Sequence, residues 1–121
     1  MRTRTVIGLC AGFVGIMFSA PTASAQDKAL IDHGIKVYAA QKCNVCHSIA
    51  GKGKKTGPLD APDSKLQEIG ADEIRQWLVN APEMTKKSGS KRKPVMKNYS
   101  KLPKQDIDAL VAYMLSLKTK S

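Results

Sequence analysis

Cys43, Cys46 and His47 stand in the run Cys43-Asn44-Val45-Cys46-His47, and no other stretch of the chain carries chemistry as plain. Two thiols three positions apart on one helical turn face the same way. Both can therefore form thioether bonds to the two vinyl groups of a single haem. The histidine that follows at once is held beside the ring, where an imidazole nitrogen can reach the iron as proximal ligand. A Cys-x-x-Cys-His run is accordingly the attachment signature of c-type haem. Zinc ribbons and thioredoxin-like redox pairs share the bare Cys-x-x-Cys spacing. A zinc ribbon needs a second ligand pair, yet no cysteine follows Cys46, and the other histidine, His33, lies ten residues before Cys43. A thioredoxin-like pair sits in a βαβ unit, and the sequence has no strand pattern to build one.

Three further positions could serve such a haem. A thioether sulfur opposite histidine is a soft ligand that favours ferrous iron and raises the reduction potential. Met84 and Met96 both lie in residues 83–101, a strongly basic stretch of low periodicity with Lys86, Lys87, Lys91, Arg92, Lys93, Lys97 and Lys101. Methionine is otherwise core filler, but a stretch so dense in lysine has little core to fill. Trp77, the single tryptophan, has two roles open to it: packing against the haem, or donating its indole N–H to a haem propionate. A metal-bound histidine usually gives its second ring N–H to a carbonyl. A backbone carbonyl of Gly57-Pro58-Leu59 is well placed in sequence to accept it, although Pro58 also reads as an ordinary turn proline.

The elements that must position these residues read as helices. Residues 27–41 carry an apolar stripe of Leu30, Ile31, Gly34, Ile35, Tyr38 and Ala39 at three- and four-residue intervals. Gly34 inside that stripe costs about 1 kcal/mol against alanine, which close approach of another helix would offset. His33 falls beside the stripe and reads as a solvated helix histidine. Residues 48–59 are rich in Gly and Lys without periodicity, hence a loop. A short helix or turn is expected around 64–69 and a better helix over 72–80, with Ile74, Trp77 and Leu78 as its apolar side and Ala81-Pro82 as its end. A last helix over 104–118 follows Pro103, with Asp106 and Asp108 early in it. Its face of Ile107, Leu110, Val111, Tyr113, Met114 and Leu115 is expected to meet the first helix, with Met114 in the core. There are no repeats, and the fold class is all-α.

Residues 1–25 read as a secretory signal peptide: Arg2 and Arg4, an apolar stretch over 6–20, then Ala23-Ser24-Ala25 as a small-x-small cleavage site. The apolar stretch is shorter than the roughly 20 residues a spanning helix needs, so cleavage is expected rather than stable membrane insertion. Cys10 follows Leu9 rather than a small residue, so it reads as discarded with the signal, not lipidated. Residues 26–121 then form one domain of 96 residues, too short to bury a large core from side chains alone. A covalent haem would become the centre of that core. Export to an oxidising periplasm would close Cys43 and Cys46 into a disulfide unless something consumed them, and thioether formation consumes both. With the signal removed, eighteen basic and ten acidic residues leave a net charge of +8. Aromatic residues make up 5% of the chain, which gives base stacking little support and argues against nucleic acid. The charge reads as a docking field for acidic redox partners, with general solubility as the plainer account.

On these residues the chain resembles the small class I c-type cytochromes, over essentially all of residues 26–121. Cys43-x-x-Cys46-His47 matches the family's haem-binding run. Gly34 and Tyr38 match its N-terminal helix, and Leu110-x-x-Tyr113 the C-terminal helix that crosses it. Thr56-Gly57-Pro58-Leu59 looks like the turn whose proline carbonyl holds the proximal histidine. Pro94-Val95-Met96, followed by Tyr99 and Leu102-Pro103, looks like the distal methionine loop and selects Met96 over Met84. The resemblance implies a cytochrome c fold, a few helices wrapped around one covalently attached haem c, with iron held by His47 and Met96. It implies one-electron transfer between exported or membrane-bound redox partners by a non-enzymatic carrier, as a monomer or as a subunit of a redox complex. Between Trp77 and Met96 the loop is unusually rich in lysine and serine, so the family's propionate contacts do not carry over. Two rivals stay open: a five-coordinate haem sensor or peroxidase-like enzyme, and a haem subunit of a larger oxidoreductase.

Overall fold

The computed structural model describes Gly15 and residues 23–118. Apart from Gly15 and Ala23–Ala25, the signal peptide expected at residues 1–25, with Cys10, lies outside the described residues. Helix α1 (Ala23–Ala40) begins four residues earlier than the sequence pattern indicates and ends one residue sooner. Helix α4 (Lys104–Ser116) ends two residues sooner.

Gly34 sets where these two helices cross. A Cβ on Gly34 would run into the carbonyl oxygen of Ala109 and lie 2.7 Å from Cβ of Tyr113. The glycine thus lets the α1 backbone rest directly on α4, the compensation its presence in the stripe requires. Residues three and four positions either side of Gly34 share its face: Leu30, Ile31, Val37 and Tyr38. This corrects the stripe. Val37 is buried at 6% exposure, whereas Ile35 is 44% exposed and Ala39 is exposed. Leu115, placed on the α4 face by the pattern, is also exposed. Above the crossing, the Tyr38 and Tyr113 rings meet edge to face with centroids 5.7 Å apart. His33 is not simply solvated: its Nε2 lies 2.7 Å from a carboxylate oxygen of Asp106, pinning α1 to the first turn of α4.

Helix α2 (Ala71–Val79) opens with Asp72 and Glu73, acidic residues suited to a helix N-terminus. It buries Ile74 and Leu78, and Arg75 reaches a carboxylate oxygen of Asp108 on α4 at 2.6 Å. The chain breaks at Asn80, then turns at once into α3 (Ala81–Ser88). Ala81-Pro82 therefore ends one helix and starts another. Proline lacks only an N–H that the first helical turn leaves unbonded anyway. The helix α3 also corrects the start of the stretch 83–101, which the sequence pattern leaves as irregular. Gly89, in the left-handed region at φ 65°, closes α3.

One feature was absent from the sequence pattern for want of length. A hairpin of β1 (Ser48–Ile49) and β2 (Lys52–Gly53) pairs Ser48 with Gly53 and Ile49 with Lys52, antiparallel. The turn expected around 64–69 is a 3-10 helix over Lys65–Gln67. Leu66 and Ile69 from this turn join Val37, Ile74, Leu78, Ile107, Leu110, Val111 and Met114 in one core. Each such side chain contributes on the order of 1.5–3 kcal/mol by leaving water. Among the described residues no helix is long and apolar enough to cross a membrane.

Candidate haem-binding site

The Cys-x-x-Cys-His run folds as one tight turn. Cys43–Val45 is a 3-10 helix, and the N–H groups of Cys46 and His47 both return to the Cys43 carbonyl, at 3.1 and 3.0 Å. Side chains three apart eclipse in a 3-10 turn, so Cys43 and Cys46 stand on one side. Both are half-buried free thiols. Burial pushes the Cys43 thiol up, and the Tyr99 hydroxyl opposes that by hydrogen-bonding its sulfur.

His47 is half-buried, and its Nδ1–H donates to the Gly57 carbonyl at 3.2 Å. Nε2 keeps its lone pair, which is the nitrogen a metal would take. The acceptor corrects the one the resemblance implies. It is Gly57, not Pro58, because a parallel bridge aligns Pro58 with Ser48 and turns the Gly57 carbonyl toward the His47-Ser48 corner. The Ser48 N–H donates to the same carbonyl at 3.0 Å. Desolvation by burial lowers the pKa of His47; the Arg92 cation adds to this and the Gly57 bond opposes it. The net direction favours the neutral imidazole, the ligating form.

Gly57 itself is hemmed in. A Cβ there would collide with the Cys46 carbonyl oxygen and the Arg92 guanidinium. Arg92 comes from the basic stretch, and its Nη2 donates to the carbonyls of Thr56 at 2.9 Å and Cys46 at 3.1 Å. Seven positions later the Tyr99 hydroxyl reaches Cys43, while the Tyr99 N–H donates to the Leu78 carbonyl of α2 at 2.8 Å. Met96 lies between these two anchors, partly buried against the core. Met84 is half-buried on α3, and Met114 is buried in the core at 7% exposure, as its α4 neighbours indicate.

Trp77 packs partly buried against the core. Its indole nitrogen is buried without a hydrogen-bond partner, and so is the Tyr38 hydroxyl. Burial pushes the Tyr38 phenol up to about 12. An unmet buried donor costs about 1–3 kcal/mol. A haem carrying two carboxylates would meet this need, and it would take up the two thiols and the free Nε2. These residues fit a haem. Among the described residues no three His, Cys, Asp or Glu side chains form a cluster that could hold a metal ion by themselves.

A family profile described as cytochrome c matches residues 31–118, most of the chain. The chain belongs to the cytochrome c family. Haem c, joined covalently and carrying iron, is that family's cofactor, and haem-based electron transfer is its activity; the mostly helical fold described above is consistent with that membership. The chain is also 27% identical over 96 residues to the "Cytochrome c oxidase subunit 2" of Alkalihalophilus pseudofirmus, an alignment covering 75% of this chain. It spans 27% of that relative's length. No solved structure gives a significant match.

Sequence reasoning named the Gly57 carbonyl only as one of three in the Gly57-Pro58-Leu59 turn, because a backbone acceptor carries no side-chain signal, and it missed Arg92 as a participant in the site. Arg92 was one cation among seven between Lys86 and Lys101, and its acceptors lie 36 and 46 residues away in the chain.

Proposed function

We propose that the chain is an exported, periplasmic one-electron carrier whose haem iron is held by His47 and Met96. The observation that carries this reading is the bracketing of Met96. Arg92 before it and Tyr99 after it each bond to the Cys43–Cys46 run, so the methionine's segment is tied to the segment bearing His47. Haem bound here supplies a single electron through its iron. The protein's part is to keep both axial positions filled by its own side chains. His47 is oriented through Gly57, and Met96 is fixed through Arg92 and Tyr99. Such filling limits rearrangement on electron gain or loss and leaves no open position for peroxide or gases, which favours a carrier over an enzyme. Trp77 would donate its unpartnered N–H to a propionate. Lysines on the 86–101 stretch, with Lys52, Lys54 and Lys55 of the neighbouring loop, are exposed and would steer acidic redox partners to the site.

A second reading rests on the oxidase-subunit relative: a haem module that serves one larger oxidoreductase. It predicts co-purification with a membrane complex at moderate salt, whereas a free carrier elutes alone.

The deciding experiment is the absorption spectrum of the purified holoprotein, oxidised and reduced. His47/Met96 ligation predicts a low-spin spectrum with the weak far-red band of methionine–iron bonding. Met96→Ala should abolish that band, lower the reduction potential and admit carbon monoxide to the reduced form, while Met84→Ala should leave all three unchanged. A high-spin wild-type spectrum would move the chain to the sensor or peroxidase class.

A further inference from the structure

We infer that Arg92 is a positioning residue that clamps the distal-methionine segment onto the proximal-histidine turn, so that one exposed guanidinium governs retention of both axial ligands. The inference rests on the His47/Met96 reading above and names a residue that neither the motif nor the resemblance marks.

The geometry is that of a clamp rather than a stray surface contact. A single nitrogen, Nη2, spends its two hydrogens on two carbonyls of different segments, Cys46 at 3.1 Å and Thr56 at 2.9 Å. Those carbonyls flank the site on both sides. Cys46 precedes His47, and Thr56 precedes Gly57, whose own carbonyl accepts from His47 Nδ1. The guanidinium also occupies the space a Cβ at Gly57 would take, so it packs against the residue that orients the imidazole. At its other end Arg92 is four residues from Met96 in a segment without secondary structure from Ser90 to Ser100 apart from bends and a turn. Beyond Met96 the next anchors of that segment are the Tyr99 bonds to Leu78 and Cys43. Without Arg92, residues 89–98 would lose their only hydrogen bonds to the Cys43–Gly57 region among those described, leaving Tyr99 as the one remaining tie. Met96 would then swing on one anchor rather than two. Lys91 beside it is exposed and carries the same charge without reaching either carbonyl, which separates the clamp from simple electrostatics.

The test compares wild type, Arg92→Gln, Arg92→Lys and Lys91→Gln as ferric holoproteins. Imidazole serves as the probe that displaces the methionine, and alkaline titration of the far-red band reports methionine retention. Arg92→Gln should raise imidazole affinity by roughly threefold to tenfold, the range for losing exposed charge-assisted bonds. It should also lower the pH midpoint for loss of the band by a matching half to one unit. Lys91→Gln should change neither. Arg92→Lys keeps the charge but not the planar fork, and should fall between wild type and Arg92→Gln. If Arg92→Gln and Arg92→Lys both coincide with Lys91→Gln while wild type shows the band, the clamp is wrong and the axial assignment stands. A wild type without the band would overturn the axial assignment, and the clamp with it.

Discussion

At the residue scale, the site works by leaving chosen atoms unmet. His47 gives one ring nitrogen to Gly57 and keeps the other, while Trp77 buries an N–H that finds no partner within the protein. If that N–H belongs to a propionate, its removal has a signed consequence. A donor stabilises the ionised carboxylate and holds its pKa down. Trp77→Phe keeps most of the apolar bulk but loses the donor, so the propionate pKa should rise. An ionising propionate adds negative charge near the iron and lowers the potential. The pH range over which the potential falls should therefore move upward in Trp77→Phe, by about one unit for a hydrogen bond worth about 1.4 kcal/mol. Voltammetry from pH 5 to 9 checks this, and an unchanged profile would return Trp77 to core packing alone. Cys43, Cys46 and His47 were legible because covalent attachment demands those residue types at that spacing. The Gly57 carbonyl was legible only as one of three in its turn, since a backbone acceptor has no side-chain signature, and the resemblance pointed to the proline one residue on. Arg92 was hidden by composition: nothing local separates it from six neighbouring lysines, of which Lys86 pairs with Glu83 at 3.8 Å and the rest are exposed.

At the element scale, the crossing of α1 and α4 is the joint on which the site is built. The Cys43–Val45 turn follows α1 directly, and α4 follows the Met96 segment, so any shift at the crossing changes where the stretches carrying His47 and Met96 are held. Gly34→Ala tests this joint. The added methyl meets the Ala109 carbonyl, which is backbone and cannot swing aside. Overpacking costs typically 1–3 kcal/mol, and the better helix propensity of alanine returns about 1 kcal/mol. Because the obstructing atom is backbone, the clash falls at the upper end of that range, and the expected net loss is about 2 kcal/mol, or a melting temperature lower by roughly 8–16 °C for a domain of this size. Thermal unfolding followed at the Soret band checks it, and a melting temperature equal to or above wild type would show that the helices can separate without cost. The glycine's role was readable because a glycine inside an apolar stripe needs a reason. The stripe itself was misdrawn by including Ile35 and Ala39, because apolar type was counted without fixing the contact point; centring on Gly34 gives Val37 instead. The hairpin of Ser48–Gly53 and the helix α3 were unreadable for different reasons. Two-residue strands show no alternation, and α3 is amphipathic over only eight residues behind a proline that usually marks an end.

At the scale of the whole molecule, charge is distributed unevenly. Between Lys86 and Lys101 lie seven cations and no acidic residue. Elsewhere acidic groups take up cations: Asp32 with Lys28, Glu68 with Lys65, Asp108 with Arg75 and Lys104. Within the stretch that carries Met96 the one ion pair among the described residues is Lys86 with Glu83 at 3.8 Å, so a net positive field sits there, and Arg92 has its donors turned inward to backbone carbonyls. Steering by such a field acts on association, not on the electron-transfer step once partners have docked. Screening shortens to about 10 Å at 0.1 M salt and about 3 Å at 1 M. The second-order rate constant for reduction by an acidic partner protein should accordingly fall by about tenfold or more between low salt and 0.5 M. With a small neutral reductant it should stay flat. Lys97→Glu, one residue from Met96, should reproduce much of the salt effect at low ionic strength. Lys28→Gln, on α1 and already paired with Asp32 at 2.6 Å, should leave the rate unchanged. Stopped-flow measurement over a salt series distinguishes the cases. Equal slowing by both substitutions would mean that net charge alone attracts the partner, and that the cluster around Met96 has no part in where it docks.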